Sequence, residues 1–308
     1  MKTVFIDGSA GTTGLRIYER LSAREDLQLV KLPEELRKDP EARKQALNNC
    51  DVAFLCLPDA AAMESVSLIE NDHVTVLDTS TAHRTNPDWA YGFPEVVGSE
   101  KILASKRIAV PGCHASGFIS LVAPLVKAGI LSPDSRLTCH SITGYSGGGK
   151  KMIGEYEDDE LDPLLGAPRQ YALTQQHKHL KEMKAICGLE QAPIFCPIVS
   201  NFYSGMAVTV PLFKEDLMPG KTMEDIKAVY AAQYQGPMVT YVPEVDEGGF
   251  FSAAGLSEKD TMEVTVCGNE DRILLLSRYD NLGKGASGAA VQCLNMVLGV
   301  DPTTGLEL

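Results

Sequence analysis

One cysteine of this 308-residue chain stands where covalent chemistry is favoured. Pro111-Gly112-Cys113-His114-Ala115-Ser116-Gly117 follows an apolar run that ends at Val110. The stretch after it, Ser116 to Lys127, carries Phe118, Ile119, Leu121, Val122 and Leu125 at helical spacing, with a kink expected at Pro124. Cys113 therefore sits at or just before a helix start, where the dipole favours thiolate, the nucleophilic form. The alternative is a buried structural cysteine, the usual fate of the residue type. The other seven cysteines, at 50, 56, 139, 187, 196, 267 and 293, lie in apolar runs or periodic elements. No Cys-x-x-Cys pair occurs, so neither a zinc site nor a disulfide framework is expected. His177-Lys178-His179 offers imidazoles for general acid–base work, since histidine titrates nearest neutral pH. A surface pair or a weak metal site is the competing reading. His114 adjoins the thiol but has no better claim by pattern.

A second group suits phosphate. Gly8-Ser9-Ala10-Gly11-Thr12-Thr13-Gly14 follows the first apolar run and opens a helical stretch. Glycines there allow a tight turn and close approach of a pyrophosphate, and the helix start supplies N–H donors. A merely tight strand–helix turn is the alternative. The second strand ends at Val30-Lys31-Leu32 with no acid at its tip to accept from a ribose hydroxyl, which favours NADP over NAD. Lys31 or Arg16 would meet the 2′-phosphate, unless Lys31 is an ordinary surface lysine. Two further segments suit an anionic substrate. Ser141 to Lys150 is a loop containing Ser146 and Gly147 and ending in a cation, Lys150, and Arg84 follows the strand that ends at Asp78. The bland alternatives are a plain connection and an arginine paired with an acid.

The elements that hold these residues come in two textures. Apolar runs at Thr3 to Ile6, Leu27 to Leu32, Val52 to Leu57 and Val74 to Asp78 alternate with helical stretches at Thr13 to Arg24, Pro40 to Asn49 and Asp59 to Ile69. That alternation predicts an α/β unit with a doubly wound, mostly parallel sheet of the Rossmann kind. From about Leu137 strands predominate: Thr138 to Thr143, Ile198 to Val210, Val239 to Val242, Met262 to Gly268 and Arg272 to Ser277. They predict a second, α+β domain. The last helix, Ala286 to Leu298, is apolar enough to pack back onto the first domain. Lys and Arg total 28 and Asp and Glu 41, a net charge of −13. A pI near 4.9 argues against nucleic acid or an anionic membrane as partner. Asp7 interrupts the N-terminal apolar run too early for a signal segment, and no run reaches spanning length, so a reducing cytoplasm is expected.

Taken in order, these motifs resemble the shorter form of the N-acetyl-γ-glutamyl-phosphate reductase family, within the aspartate-semialdehyde dehydrogenase superfamily. The resemblance covers nearly the whole chain. It rests on Phe5 to Gly14, Phe54 to Asp59, Ser80 to Arg84, Tyr91-Gly92-Phe93-Pro94-Glu95, Pro111-Gly112-Cys113, Gly144 to Lys150, His177-Lys178-His179 and Lys284 to Ala290. It implies Cys113 as nucleophile, His177 or His179 as acid/base, NADP on the Gly8 to Gly14 turn, and Gly285 and Gly288 beside the cofactor. It implies a small-molecule acyl phosphate as substrate and a homodimer or homotetramer. It also implies an NADP-binding domain of residues 1–113 plus 285–308 and a catalytic and dimerisation domain of 114–284. Two departures stand out: Lys181 replaces the proline usual before Glu182, and His114 replaces the tyrosine common after the nucleophile. The readings that compete are an aspartate-semialdehyde dehydrogenase and a non-catalytic dinucleotide sensor.

Overall fold

Continuous apolar runs form the buried strands of the first of two units, Met1–Pro111 with Ala286–Leu306. In chain order come β1 (Lys2–Asp7), α1 (Thr12–Ser22), β2 (Leu27–Val30), α2 (Pro40–Asn48), β3 (Val52–Leu55), α3 (Asp59–Ser67) and β4 (Thr75–Asp78). Then follow β5 (Ala90–Tyr91), α4 (Pro94–Val97), α5 (Ser99–Ala104) and β6 (Arg107–Ala109). The computed structural model describes residues 1–9, 11–245 and 247–308, and Thr12 in its backbone alone. The six strands pair in parallel in the order β2-β1-β3-β4-β6-β5. The order reverses at β1, so the Gly8 turn opens at the switch point where such sheets bind ligands. Alternate strand residues feed two cores. Val4, Ile6, Val52, Phe54 and Leu77 face one side, and Phe5, Ala53, Leu55 and Val76 face the other. Helix α2 starts on Asp39, whose carboxylate accepts from the Ala42 N–H at 2.8 Å, with Pro40 at the first helical position.

The second unit is Gly112–Gly285 with Glu307–Leu308. Its elements are α6 (Cys113–Lys127), β7 (Thr138–Gly144), α7 (Gly149–Tyr156), β8 (Arg169–Gln170), α8 (His179–Cys187), β9 (Ile194–Ser200), β10 (Met206–Phe213), α9 (Met223–Gln233), β11 (Val239–Tyr241), β12 (Met262–Gly268) and β13 (Arg272–Tyr279). They build a mixed sheet, β11-β12-β13-β10-β7-β9-β8, with parallel pairing only at β11/β12 and β7/β9. The single strand expected over Ile198 to Val210 is in fact β9 and β10, antiparallel to each other on either side of β7. The chain turns between them through 201–205, where Gly205 adopts φ +126. This turn passes over the end of β7, and the Tyr145 and Ser146 N–H groups donate to the Phe202 and Tyr203 carbonyls at 2.9 and 3.0 Å.

Helix α6 lies on β10 and β13, flanked by α8 and α9. Every residue from His114 to Leu125 is buried. The helix runs on past Pro124, which lacks the N–H that the Ser120 carbonyl would receive. Tyr234 Oη donates to that carbonyl at 2.5 Å, and Tyr230 Oη donates to the Leu121 carbonyl at 2.5 Å. The opposite face of the sheet carries Phe213, 62 % exposed, and Leu274, 40 % exposed, with Ile142, Ile198 and Thr209 half-buried. After a π turn at Gly283–Ser287 the last helix, α10 (Gly288–Leu298), joins the first unit and adds Ala290, Val291 and Leu294 to its core.

Candidate active site

In the second unit Cys113 is the first residue of α6, with Gly112 as an N-cap that offers no side-chain cap. The first-turn N–H groups of a helix have no partners within it, so they suit a thiolate or an oxyanion. Cys113 is partly exposed, whereas burial pushes the Cys50 thiol up to about 12 and raises those of Cys139 and Cys187 further. Helix α8 begins at His179 and presents Glu182 one turn on, on the same face. The buried Glu182 carboxylate accepts from the Gly112 N–H at 3.1 Å through Oε2, and its Oε1 lies 4.0 Å from His179 Nε2. One carboxylate thus ties the residue before Cys113 to an imidazole.

Three imidazoles meet here. Ring centroids are 4.6 Å apart for His177 and His179, 5.9 Å for His114 and His177, and 5.7 Å for His114 and His179. His177 Nδ1 accepts from the His179 backbone N–H at 3.2 Å, which places the ring proton of neutral His177 on Nε2. His114 is buried between the Ser141 hydroxyl, 2.7 Å from Nδ1, and the Tyr171 hydroxyl, 2.6 Å from Nε2. Burial, and then the positive charge His177 can carry, lower its pKa to about 3, so it stays neutral. Burial, and then the Cys113 sulfur, raise the Tyr171 phenol above its ordinary range. The segment that carries Tyr171 and His177 is fastened by Gln175, whose amide bonds the Phe195 carbonyl and N–H at 2.7 and 2.8 Å. Ala172 and Gln175 sit at φ +52 and +55, costly for residues with a Cβ and typical of functional segments.

The remaining expected residues separate. Gly285 packs on Cys113: a Cβ there would stand 3.1 Å from Cys113 Cβ. Gly288 opens α10 in the first unit. Ser146 is buried and accepts from Asn281 Nδ2 at 3.0 Å, while Gly147 and Lys150 are exposed beside it. Arg84 is buried in the first unit, where Nε donates to the Val110 carbonyl at 2.9 Å and Nη2 to that of Thr79 at 3.0 Å. It braces the loop after β4. Its neighbour His83 bonds Asp78 at 2.6 Å and stacks on Trp89 at 4.0 Å.

The Gly8 to Gly14 turn fits a dinucleotide phosphate. Gly8 has φ +88 and passes so close to β3 that a Cβ would stand 2.3 Å from the Cys56 carbonyl oxygen. A Cβ on Gly14 would stand 2.4 Å from the Gly8 carbonyl oxygen. Gly11 is the N-cap of α1, with no side-chain cap and no acid in the first turn. Ser9 and Thr13 are half-buried on either side, Ala10 lies outside the described residues, and so does the Thr12 side chain. Asp7, at the end of β1, is paired from behind with Arg43 Nη2 at 3.1 Å and accepts from Ser65 Oγ at 2.9 Å. Lys31, just past β2, holds Nζ 5.2 Å from the centre of the Tyr18 ring. Among the described residues no helix is long and apolar enough to cross a membrane, and no group of His, Cys, Asp or Glu is placed to hold a metal ion.

Two family models match, the semialdehyde dehydrogenase NAD-binding domain over residues 20–104 and the semialdehyde dehydrogenase dimerisation domain over 113–281. The N-acetyl-gamma-glutamyl-phosphate reductase of Rhizobium meliloti (strain 1021) is 44 % identical over 96 % of this chain and 98 % of its own length. The chain belongs to the N-acetyl-gamma-glutamyl-phosphate reductase family. An N-acetyl-gamma-glutamyl-phosphate reductase 2 from Nostoc sp. (strain PCC 7120 / SAG 25.82 / UTEX 2576) is 43 % identical over 98 % of both chains. The fold is shared with aspartate semialdehyde dehydrogenase II of Vibrio cholerae (TM-score 0.71, 17 % identity, 97 % of this chain and 98 % of that one). The Francisella tularensis aspartate semialdehyde dehydrogenase has the same TM-score, 0.71, at 15 % identity, covering 97 % of this chain and 100 % of that one. This family of oxidoreductases uses a nicotinamide dinucleotide, and the matched NAD-binding model falls in the first unit.

Sequence reasoning passed over four residues that the structure gathers here: Glu182, Ser141, Tyr171 and Gln175. Glu182 was readable, since it follows His179 by three positions and so shares its helix face. The other three reach the site only through sheet pairing and the turn after β8, which leave no local signature.

Proposed function

We propose that this chain reduces N-acetyl-γ-glutamyl phosphate to N-acetylglutamate semialdehyde with NADPH, a step of arginine biosynthesis, through a thioester on Cys113. The observation that carries the reading is a partly exposed cysteine at a helix start, joined through Glu182 to the His177–His179 pair. Cys113 Sγ attacks the acyl carbon, the bond from that carbon to the phosphate oxygen breaks, and inorganic phosphate leaves. First-turn N–H groups of α6 stabilise the oxyanion that forms. His179 is the acid/base. Glu182 faces its Nε2 and favours the protonated ring, which delivers a proton to the developing alkoxide. His177, with its proton on Nε2, donates a hydrogen bond to substrate oxygen. His114 stays neutral, so the cluster carries fewer than three positive charges.

The first unit holds the dinucleotide, with Gly8, Ser9, Gly11, Thr12, Thr13 and Gly14 around the pyrophosphate, Gly288 nearby in the chain's return, and Lys31 for the 2′-phosphate of NADP. When bound, the reduced cofactor supplies hydride to the thioester carbon. His179 takes the hydroxyl proton back as the carbon–sulfur bond breaks, Cys113 recovers its thiolate, and the aldehyde departs. Gly285 keeps the space beside Cys113 open. Lys150, with Ser146 and Gly147, takes the anionic groups of the substrate. Arg84, already committed to the Val110 and Thr79 carbonyls, passes that clamp to Lys150. The second unit also mediates self-association as a dimer or tetramer through the open sheet face with Phe213 and Leu274, the apolar kind of surface that interfaces bury. The reaction belongs in a reducing cytoplasm, where a thiol nucleophile persists.

The test is Cys113→Ser, assayed by NADPH absorbance during phosphorolysis of N-acetylglutamate semialdehyde, with aspartate semialdehyde as a parallel substrate. Turnover should fall by roughly a thousandfold or more while NADPH binding is kept. Near-wild-type turnover would end the covalent proposal, and a preference for aspartate semialdehyde would reassign the substrate.

A further inference from the structure

We infer that Tyr279 is a positioning residue for the nucleophile, its hydroxyl holding the first turn of α6 by bridging the Cys113 carbonyl and the Gly117 amide. The inference rests on the reading of Cys113 as nucleophile. Tyr279 ends β13, inside the seven-stranded sheet, and is fully buried. Its Oη donates to the Cys113 carbonyl oxygen at 2.6 Å and accepts from the Gly117 N–H at 3.1 Å. Those two groups are i and i+4 partners of a helical hydrogen bond. The phenol therefore stands at the rung of the ladder that belongs to Cys113, and a side chain inserted there sets the geometry of the turn.

Two other tyrosines, on α9 and at its end, also serve carbonyls of α6 and sharpen the contrast. Tyr234 serves the Ser120 carbonyl, which Pro124 leaves without its N–H, and Tyr230 serves Leu121 next to it. No proline calls for a hydroxyl at Cys113, because Gly117 has an N–H of its own to give. Two glycines make room for the ring. A Cβ on Gly117 would stand 2.6 Å from Tyr279 Oη and 2.5 Å from Val208 Cγ2. One on Gly285 would stand 3.3 Å from Tyr279 Cε2 and 3.1 Å from Cys113 Cβ. Burial, and then the Cys113 sulfur, keep the phenol protonated and so a donor. Its O–H polarises the Cys113–His114 peptide and makes the His114 N–H a stronger donor at the helix mouth. It also fixes the backbone torsions that aim Sγ.

Two replacements in the full chain test this: Tyr279→Phe, and 3-fluorotyrosine placed at 279 alone, which keeps the shape and strengthens the donor. Alkylation of Cys113 by iodoacetamide is mapped by peptide mass against pH, and kcat and KM are measured on the same preparations. Tyr171, His114, His177, His179 and Glu182, the titratable groups around this turn, are common to all three proteins. The phenylalanine variant should lose about tenfold in kcat with KM within about twofold, and its alkylation midpoint should rise. The fluorinated protein should shift its midpoint the opposite way. Alkylation profiles that superimpose on wild type overturn the inference, and if the phenylalanine variant does not fold, the fluorinated protein decides by the same criterion. A wild-type Cys113 that is neither alkylated faster than the other cysteines nor needed for turnover would instead count against the nucleophile assignment.

Discussion

Replacing His114 with glutamine should flatten the acid limb of this protein's stability. An ordinary histidine titrates near 6.5, whereas His114 is held to about 3 by burial first and the neighbouring His177 second. Between those values the unfolded chain binds a proton that the folded chain refuses. The sign is therefore fixed: stability is complete above the unfolded pKa and drains away as pH falls below it. Linkage puts the loss from this one residue at about 2 kcal/mol between about pH 7.5 and about pH 5. Glutamine can still bond the Ser141 and Tyr171 hydroxyls but has no proton to refuse. The measurement is chemical denaturation of both proteins across that range, read as their difference. His177, His179 and Glu182 are common to both proteins, and their contributions largely cancel in the difference. The gap between the two proteins should close by about 2 kcal/mol on acidification, whatever the fixed cost of the substitution. Parallel curves would refute the claim that His114 is neutral in the folded state.

Three further outcomes are expected. Near neutral pH iodoacetamide should label Cys113 well before Cys50, Cys139 and Cys187, whose thiols burial holds in the protonated form; peptide mapping reads the order, and equal labelling would remove the case for an activated thiol. Gly14→Ala places a methyl 2.4 Å from the Gly8 carbonyl oxygen, so NADPH binding, followed by fluorescence quenching, should weaken by about tenfold or more. Glu182→Gln keeps an acceptor for the Gly112 N–H but removes the charge 4.0 Å from His179, so kcat should fall more than KM changes and the basic side of the pH–rate profile should move to lower pH.

The parallel sheet of the first unit was legible because β1, β3 and β4 are short uninterrupted apolar runs, each closed by an acid, a glycine or a proline. Strand β6 was legible as the run that ends at Val110, whereas the two residues of β5 carry no pattern above noise. The run from Ile198 to Val210 was misread as one strand because its residues favour β structure on both sides of the 201–205 turn. The turn signals Ser200-Asn201 and Ser204-Gly205, the glycine at φ +126, mark the reversal. At the site, Cys113 could be read from Pro-Gly ahead of an apolar helix. Tyr171 and Tyr279 could not, since a tyrosine near a strand end looks alike whether its hydroxyl meets solvent or a buried partner. The histidine that follows Cys113, where the resemblance implies a tyrosine, becomes intelligible in space. His114 lies against Tyr171, which brings a phenol to this corner from a different segment.

Pro124 has a consequence for biosynthesis on the ribosome. The hydroxyls that serve the carbonyls of Ser120 and Leu121 arrive 114 and 109 residues later in the chain. An emerging polypeptide that stops short of α9 has the thiol-bearing helix without these supports, and its main chain must rely on water at a place that is buried in the finished protein. The helix that begins at Cys113 therefore matures only after α9 has been synthesised, and fragments truncated before α9 should be degraded rather than accumulate.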